Sequence, residues 1–298
     1  MSITSSVLPV ITVTYSPGRY LRTFLDSLPS ATTHNIVVIM ADNGSTDGAP
    51  EAAQCDDVIL LPTGGNIGYG AAINAALREV DRLGIGNDFV LIANPDAVFD
   101  PNSIDQLLEC AARHPRGAAF GPRIREADGS TYPSARALPT LSNGIGHAIL
   151  GGIWVSNPFS RAYKDDLNMD QEREAGWLSG SCLLLRRSAL NEIGGFDERY
   201  FMYMEDVDLG DRLRRAGWTS IFCPTSVITH AKGHAAGSRP RLTLKAHHDS
   251  AYRYQADRHP QWWQAPLRWT LKLGLQLRSV VALQSELRRR NQDNHEDR

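Results

Sequence analysis

The chain has 298 residues and four cysteines, and Cys55, Cys110, Cys182 and Cys223 stand far apart with no C-x-x-C pair. That spacing offers neither a zinc knuckle nor a disulfide framework, so the expectation is buried thiols in a reducing cytoplasm. A surplus of one charge is also missing. Lys and Arg number 31 against 33 Asp and Glu, a formal net charge of -2, and no domain-wide basic excess exists to neutralise the phosphates of a nucleic acid. No apolar run is long enough to span a bilayer uninterrupted: the most apolar late segment is broken by Arg268, Lys272 and Arg278. The opening "MSITSSVLPVITVTY" lacks the basic start and long apolar middle of a signal peptide. Gly64, Gly65, Gly68 and Gly70 do not fit G-x-G-x-x-G, and no acidic residue follows at the right place on a next strand, which sets a dinucleotide-binding reading aside.

What the chain does have is a 42% hydrophobic content at a length that buries a real core. Short apolar runs alternate with helix-like segments, the pattern of a mostly parallel sheet covered by helices. "VLPVITVTY", "NIVVIM", "DVILLP" and "DFVLIANPD" read as strands, with "YLRTFLDSL" (20–28) and the segment after "GGNIGYG" as helices. The Gly-, Pro- and Ser-rich middle reads as sheet edge plus loops able to cover a substrate. Order returns at "GWLSGSCLLLRRSALNEIGGF", then a helix over "EDVDLGDRLRRAG" and closing strands in "TSIFCPTSVITH". Two units are expected: an α/β domain over 1–239 and a helical, basic and amphipathic extension with a polar tail over 240–298.

Acids at the carboxyl ends of strands carry most weight, because ligands of open α/β sheets bind in the crevice outside those ends. Asp42 follows "IVVIM" and Asp96 follows "FVLIAN". Asp42-Asn43-Gly44 alone is a plain turn. Asp96 has less structural reason to be acidic, since Asn102 or Ser103 is better placed to cap the following helix. Hard cations such as Mg²⁺ and Mn²⁺ take oxygen ligands from one or two carboxylates plus substrate phosphates. His230, ending "TSVITH", is a candidate nitrogen ligand beside them. In "FDERYFMYMEDVDLGDRLRRAGW", Asp208 and Asp211 suit an ordinary helix with Asp211 paired to Arg214 or Arg215. Glu205 and Asp206 follow an aromatic approach into a sheltered place, where a carboxylate's pKa rises and it can act as a base.

Taken in order, "VTYSPG", "DNGSTDG", "NIGYGAAIN", "NPD", "GSCLLLRRSALNEIGGFDERYFMYMEDVDLGDRLRRAGW" and the late histidine resemble the inverting family 2 glycosyltransferases of the GT-A fold, across roughly residues 8–235. The resemblance implies a mixed, Rossmann-like sheet flanked by helices. It assigns Thr14, Tyr15, Asp42 and Asn66 to the nucleotide-sugar pocket. Asn94 and Asp96 fall on the family's D-x-D positions, with an amide where the first carboxylate is usual and Ser16 where Asn is usual. Asp96 and His230 would hold the metal, Mg²⁺ or Mn²⁺, and Asp206 would be the base with Glu205 as its neighbour. Within the family the chain is similar to rhamnosyltransferases of actinobacterial cell-wall synthesis. That similarity implies dTDP-L-rhamnose as donor and polyprenyl-diphosphate-linked GlcNAc as acceptor, on the cytoplasmic face of the plasma membrane.

The tail supports a lipid-borne acceptor independently. "WWQAPLRWTLKLGLQLRSVVALQSELRRR" puts Arg268, Lys272 and Gln276 on one helical stripe among Leu, Val and Trp, which suits a helix lying in a membrane interface. A face packed on its own domain or in a homodimer is the alternative. Two other classes remain: a module that keeps the fold and binds nucleotide sugar without turnover, consistent with Asn94, and a nucleotidyltransferase. The latter should carry a Gly- and Lys/Arg-rich phosphate loop after the first strand, where "VTYSPGRYL" offers Arg19 alone.

Overall fold

A computed structural model describes residues 7–86, 88–139, 169–230 and 240–275, with the backbone alone for 240–245. Its centre is β1 (Leu8–Thr14), flanked in parallel by β2 (Ile36–Asp42) and β4 (Phe89–Ala93); β3 (Val58–Pro62) pairs with β2. Beyond β4 the sheet continues through β11 (Cys182–Arg186), β6 (Gly117–Glu126), β12 (Thr219–His230) and the short β5 (Ala97–Phe99). β11 runs antiparallel to both its neighbours, and β5 is antiparallel to β12. Of four small strands, β7 (Thr131–Tyr132) pairs β6 and β9 (Arg173–Ala175) pairs β12; β8 (Ala135–Arg136) and β10 (Trp177–Leu178) form a separate ribbon. The expected α/β class holds, and the sheet is mixed.

Strand alternation builds two cores. Val10, Met40 and Leu91 point to one face, against α1 (Arg19–Ala31) and α4 (Ser103–Arg113) through Leu21, Phe24, Leu28, Ile104 and Leu107. Ile11, Ile39 and Ile92 point to the other, against α3 (Tyr69–Arg82), α5 (Arg187–Glu192) and α6 (Glu205–Arg215) through Ile73, Val80, Leu190, Leu209 and Leu213. Each such side chain contributes roughly 1.5–3 kcal/mol by leaving water, and pairing on both faces explains why these strands read as unbroken apolar runs. A short α2 (Ala49–Ala52) joins β2 to β3. α1 continues past the expected 20–28 through Pro29, which falls in the last turn and interrupts little of the helix ladder. The "TSIFCPTSVITH" strands are one strand, with a register shift between Cys223 and Val227. Asn102 sits at the N-cap of α4, in a left-handed backbone and without a side-chain cap bond.

The cysteine expectation needs correcting. Cys110 on α4 and Cys223 on β12 form a disulfide, and Cys55 is exposed, so Cys182 alone is a buried thiol. The packing of α4 on β12 brings Cα atoms 113 residues apart in sequence to 6.6 Å, an approach that local cysteine spacing does not encode.

α7 (Pro240–Arg258) packs on the segment that leads into α6. Tyr254 is buried with Tyr200 and Val207, Arg258 meets Asp211 at 2.8 Å, Arg199 meets Asp257 at 2.7 Å, and the Ser250 hydroxyl donates to the Met202 carbonyl at 3.0 Å. A further helix, α8, covers 265–275. Among the described residues no helix is long and apolar enough to cross a membrane.

Candidate active site

The site lies where the parallel strands β1, β2 and β4 end. Thr14 and Asp42 are register partners at the last positions of β1 and β2, and the Thr14 hydroxyl donates to Asp42 Oδ1 at 2.7 Å. Asp42 also accepts from the Ser45 hydroxyl and from the N–H groups of Gly44 and Ser45. Burial pushes this carboxyl up, but the bonds from Ser45 and Thr14 outweigh it and hold its pKa below the usual value. The carboxylate is therefore spent on shaping the 42–46 turn. Asn43, which the sequence reading passed over, is buried and donates to the Gly68 carbonyl at 3.2 Å and to Asn66 Oδ1 at 3.4 Å. Tyr15, next to Thr14 in sequence, is exposed.

The register of the far sheet edge supplies the next group. His230, the last residue of β12, pairs Ala97 of β5, and this lays its imidazole against the residues that follow β4. His230 Nε2 is 3.0 Å from Asp96 Oδ1 and 3.3 Å from the Asn94 amide nitrogen. The three residues "N-P-D" and the late histidine, 136 positions apart, thus converge. Octahedral Mg²⁺ places adjacent ligand atoms about 3.0 Å apart, given bonds of about 2.1 Å. Asp96 and His230 meet in a direct contact at that distance, and their oxygen and nitrogen donors suit Mg²⁺ or Mn²⁺, so the chemistry of the residues fits a divalent cation. A second cluster, Cys110, His114 and Glu172, lies near α4. Its cysteine is held in the disulfide and its carboxylate is paired with Arg113 and His114, so it is a surface ion-pair group.

Across the crevice, Glu205 and Asp206 open α6. Tyr203 and Met204 before them hold left-handed backbones, with φ of 68° and 67°, a strain that persists where surrounding contacts enforce it. Asp206 Oδ2 accepts the Gly180 N–H at 3.0 Å and Oδ1 accepts the Val207 N–H at 2.9 Å. Burial raises the Asp206 pKa, against the lowering pull of those N–H donors. Glu205 is pushed up to about 8, by burial first and then by the charge of Asp206, and its Oε2 is buried with no hydrogen-bond partner among the described residues. Burial thus raises both carboxyls of the pair, which makes either a better proton acceptor once ionised. Asp208 pairs Arg212, and Asp211 pairs Arg214, Arg215 and Arg258, as structural groups of α6.

Tyr69, in the "NIGYG" stretch, sits between the two halves. Its hydroxyl lies 3.0 Å from Asn94 Oδ1 and 2.8 Å from the Gly180 carbonyl. A tyrosine one residue after a helix-opening glycine was the available signal; its partners were not legible.

At the tail, Arg268 turns its guanidinium back to the carbonyls of His259 and Gln261, and Lys272 lies 5.8 Å from the Tyr252 ring. The two described members of the stripe thus face Tyr252 of α7 and the turn that follows it, and Gln276 lies outside the described residues. Trp262, Trp263, Trp269 and Leu273 are left exposed, the first at 82%.

A family model described as "Glycosyltransferase like family 2" matches residues 8–247. The N-acetylglucosaminyl-diphospho-decaprenol L-rhamnosyltransferase of Mycobacterium tuberculosis is 53% identical over 96% of this chain and 95% of its own. The rhamnosyltransferase WbbL of Escherichia coli strain K12 is 26% identical over 83% of this chain and 92% of its own. Among solved structures, the Pyrobaculum calidifontis mannosyltransferase in complex with GDP-Man and Mn²⁺ superposes with a TM-score of 0.56 at 18% identity, covering 90% of this chain and 68% of that one. The fold is accordingly that of GT-A glycosyltransferases, and a match over most of the length places this chain in glycosyltransferase family 2.

Proposed function

We propose that this glycosyltransferase moves L-rhamnose from dTDP-L-rhamnose to N-acetylglucosaminyl-diphospho-polyprenol, with inversion at the anomeric carbon, as a step in cell-wall linker synthesis. The observation that carries the reading is the 53% identity, end to end, with the mycobacterial rhamnosyltransferase. The geometry supports its chemistry. Asp206 removes the proton from an acceptor hydroxyl whose oxygen bonds to the sugar's anomeric carbon as the bond to the donor phosphate breaks, and the pair of electrons leaves with the nucleoside diphosphate. Asp96 and His230 would hold Mg²⁺ or Mn²⁺, which when bound supplies positive charge against the departing diphosphate.

Thr14, Asp42 and Asn66 act on the nucleotide by holding the turns that wall its pocket, and Tyr15 offers an exposed ring beside it. Fixing donor and acceptor in line across the crevice contributes much of the rate. The exposed tryptophans of the C-terminal unit, residues 240–298, fit an interfacial surface on the cytoplasmic side of the membrane that carries the acceptor. The experiment that tests the substrate is transfer of labelled rhamnose to a short-chain GlcNAc-diphospho-polyprenol with Mn²⁺ or EDTA, beside UDP-glucose and UDP-galactose as donors. Product from dTDP-L-rhamnose alone, dependent on the metal, is expected; product from another donor alone would discard the rhamnosyl assignment.

A further inference from the structure

We infer that Tyr69 is a positioning residue that sets the spacing between the diphosphate-and-metal half of the site and the base half. Its phenol touches both. The oxygen lies 3.0 Å from the Asn94 side chain, whose other amide atom faces His230, and 2.8 Å from the carbonyl of Gly180. Gly180 in turn gives its N–H to Asp206 Oδ2 at 3.0 Å. A hydrogen-bonded path therefore runs from His230 and Asp96 through Asn94, Tyr69 and Gly180 to Asp206.

Three further observations hold the tyrosine where it acts. Its own N–H donates to the Phe201 carbonyl at 3.1 Å, tying the start of α3 to the strained loop before Glu205. Gly68 before it has φ of 96°, and a Cβ there would meet the Phe201 carbonyl at 2.7 Å, so α3 approaches that loop as closely as a glycine permits. Gly180 has Asp206 Cβ at 3.5 Å and Tyr69 Cε1 at 3.7 Å from where a Cβ would lie, so the turn is closed in on both sides.

A phenol has one proton and here two acceptors in reach. The hydroxyl faces Asn94 Oδ1 at 3.0 Å and the Gly180 carbonyl at 2.8 Å, while Asn94 Nδ2 faces His230 Nε2 at 3.3 Å. The arrangement gives Asn94 a reason to be an amide: it offers an acceptor to the phenol and a donor to the imidazole, which a carboxylate could not do without a proton. Burial, then the charges of Glu205 and Asp206, push the phenol's pKa well above its ordinary value, so it remains a donor.

The inference rests on the metal-side reading of Asp96 and His230, and its test separates the two. Tyr69→Phe removes the hydroxyl and keeps the ring, so the fold should stand, with an unchanged thermal midpoint as the check. Calorimetry with Mn²⁺ and dTDP, without any sugar, should show binding weakened about 3- to 10-fold, the scale of one lost hydrogen bond. In the transfer assay kcat should fall by at least a similar factor, with the acceptor KM unchanged. Wild-type binding and wild-type kcat in Tyr69→Phe would overturn the inference alone. Absence of Mn²⁺-dependent dTDP binding in the wild type would overturn the metal reading and the inference with it. A fall in thermal midpoint that tracks the loss in kcat, with dTDP binding intact, would make Tyr69 merely structural and also overturn it.

Discussion

Gly180 gives its backbone N–H to Oδ2 of Asp206 at 3.0 Å, across 26 residues of chain, and so fixes one oxygen of the buried carboxylate from a turn on the opposite wall. The contact stabilises the charged form while burial opposes it. A carboxylate balanced in this way ionises above the ordinary range and becomes a better proton acceptor, and kcat should therefore climb with pH beyond the range of a solvated aspartate.

Glu205 gives a stability test with a definite sign. Its folded pKa is raised from 4.5 to about 8, so between those values the native state holds a proton that the unfolded chain releases, and the group's contribution to stability falls as pH rises through that window. Glu205→Gln does not titrate. Urea unfolding should find the variant gaining on wild type by about 1 kcal/mol or more between about pH 5 and about pH 8. A gap that stays constant with pH would mean Glu205 is ionised throughout.

Asp96→Ala and His230→Ala should each weaken Mn²⁺-dependent dTDP binding on the order of tenfold or more, with little change in binding measured in EDTA. Asp100, a few residues on and ion-paired to Arg125 at 3.0 Å, is the control: Asp100→Asn should leave metal dependence intact. Equal affinity in Asp96→Ala and wild type would move the cation elsewhere.

Thiol titration checks the covalent frame. Unfolded without reductant the chain should yield two thiols, Cys55 and Cys182, and after reduction four. In the native state Cys55 should react fast and Cys182 slowly, because Cys182 is buried and burial pushes its thiol pKa up. Four thiols before reduction would contradict the Cys110–Cys223 pairing.

Trp262, Trp263 and Trp269 are 82%, 61% and 76% exposed. Replacing all three by Ala should reduce partition onto vesicles containing anionic lipid by about tenfold or more, while transfer to a short-chain, detergent-soluble acceptor persists. Unchanged vesicle binding together with a shift from dimer to monomer in light scattering would assign the face to a second subunit.

Much of this was legible in the sequence because it is local. Unbroken apolar runs marked the buried strands, and acids placed at their carboxyl ends located the crevice. Long-range register was not legible. That β12 runs antiparallel to β5, which lays His230 against Asp96, follows from pairing between strands more than a hundred residues apart. The role of Tyr69 depends on three segments meeting at one hydroxyl, and the Cys110–Cys223 bond on how α4 crosses β12. Asp42 stands at the strand end as expected, and its bond from Thr14, 28 residues away, again depends on strand register. Of the expected stripe in the tail, Arg268 turns to the carbonyls of His259 and Gln261 and Lys272 to the Tyr252 ring, while the tryptophans are left exposed.

The most direct measurement is Asp206→Asn, assayed for rhamnosyl transfer from dTDP-L-rhamnose with Mn²⁺ and for donor binding by calorimetry. Asparagine can still accept the Gly180 N–H but cannot take a proton, so transfer should fall about 10²- to 10⁴-fold while donor affinity stays within about threefold of wild type. Turnover at the wild-type rate in Asp206→Asn would contradict the assignment of the base.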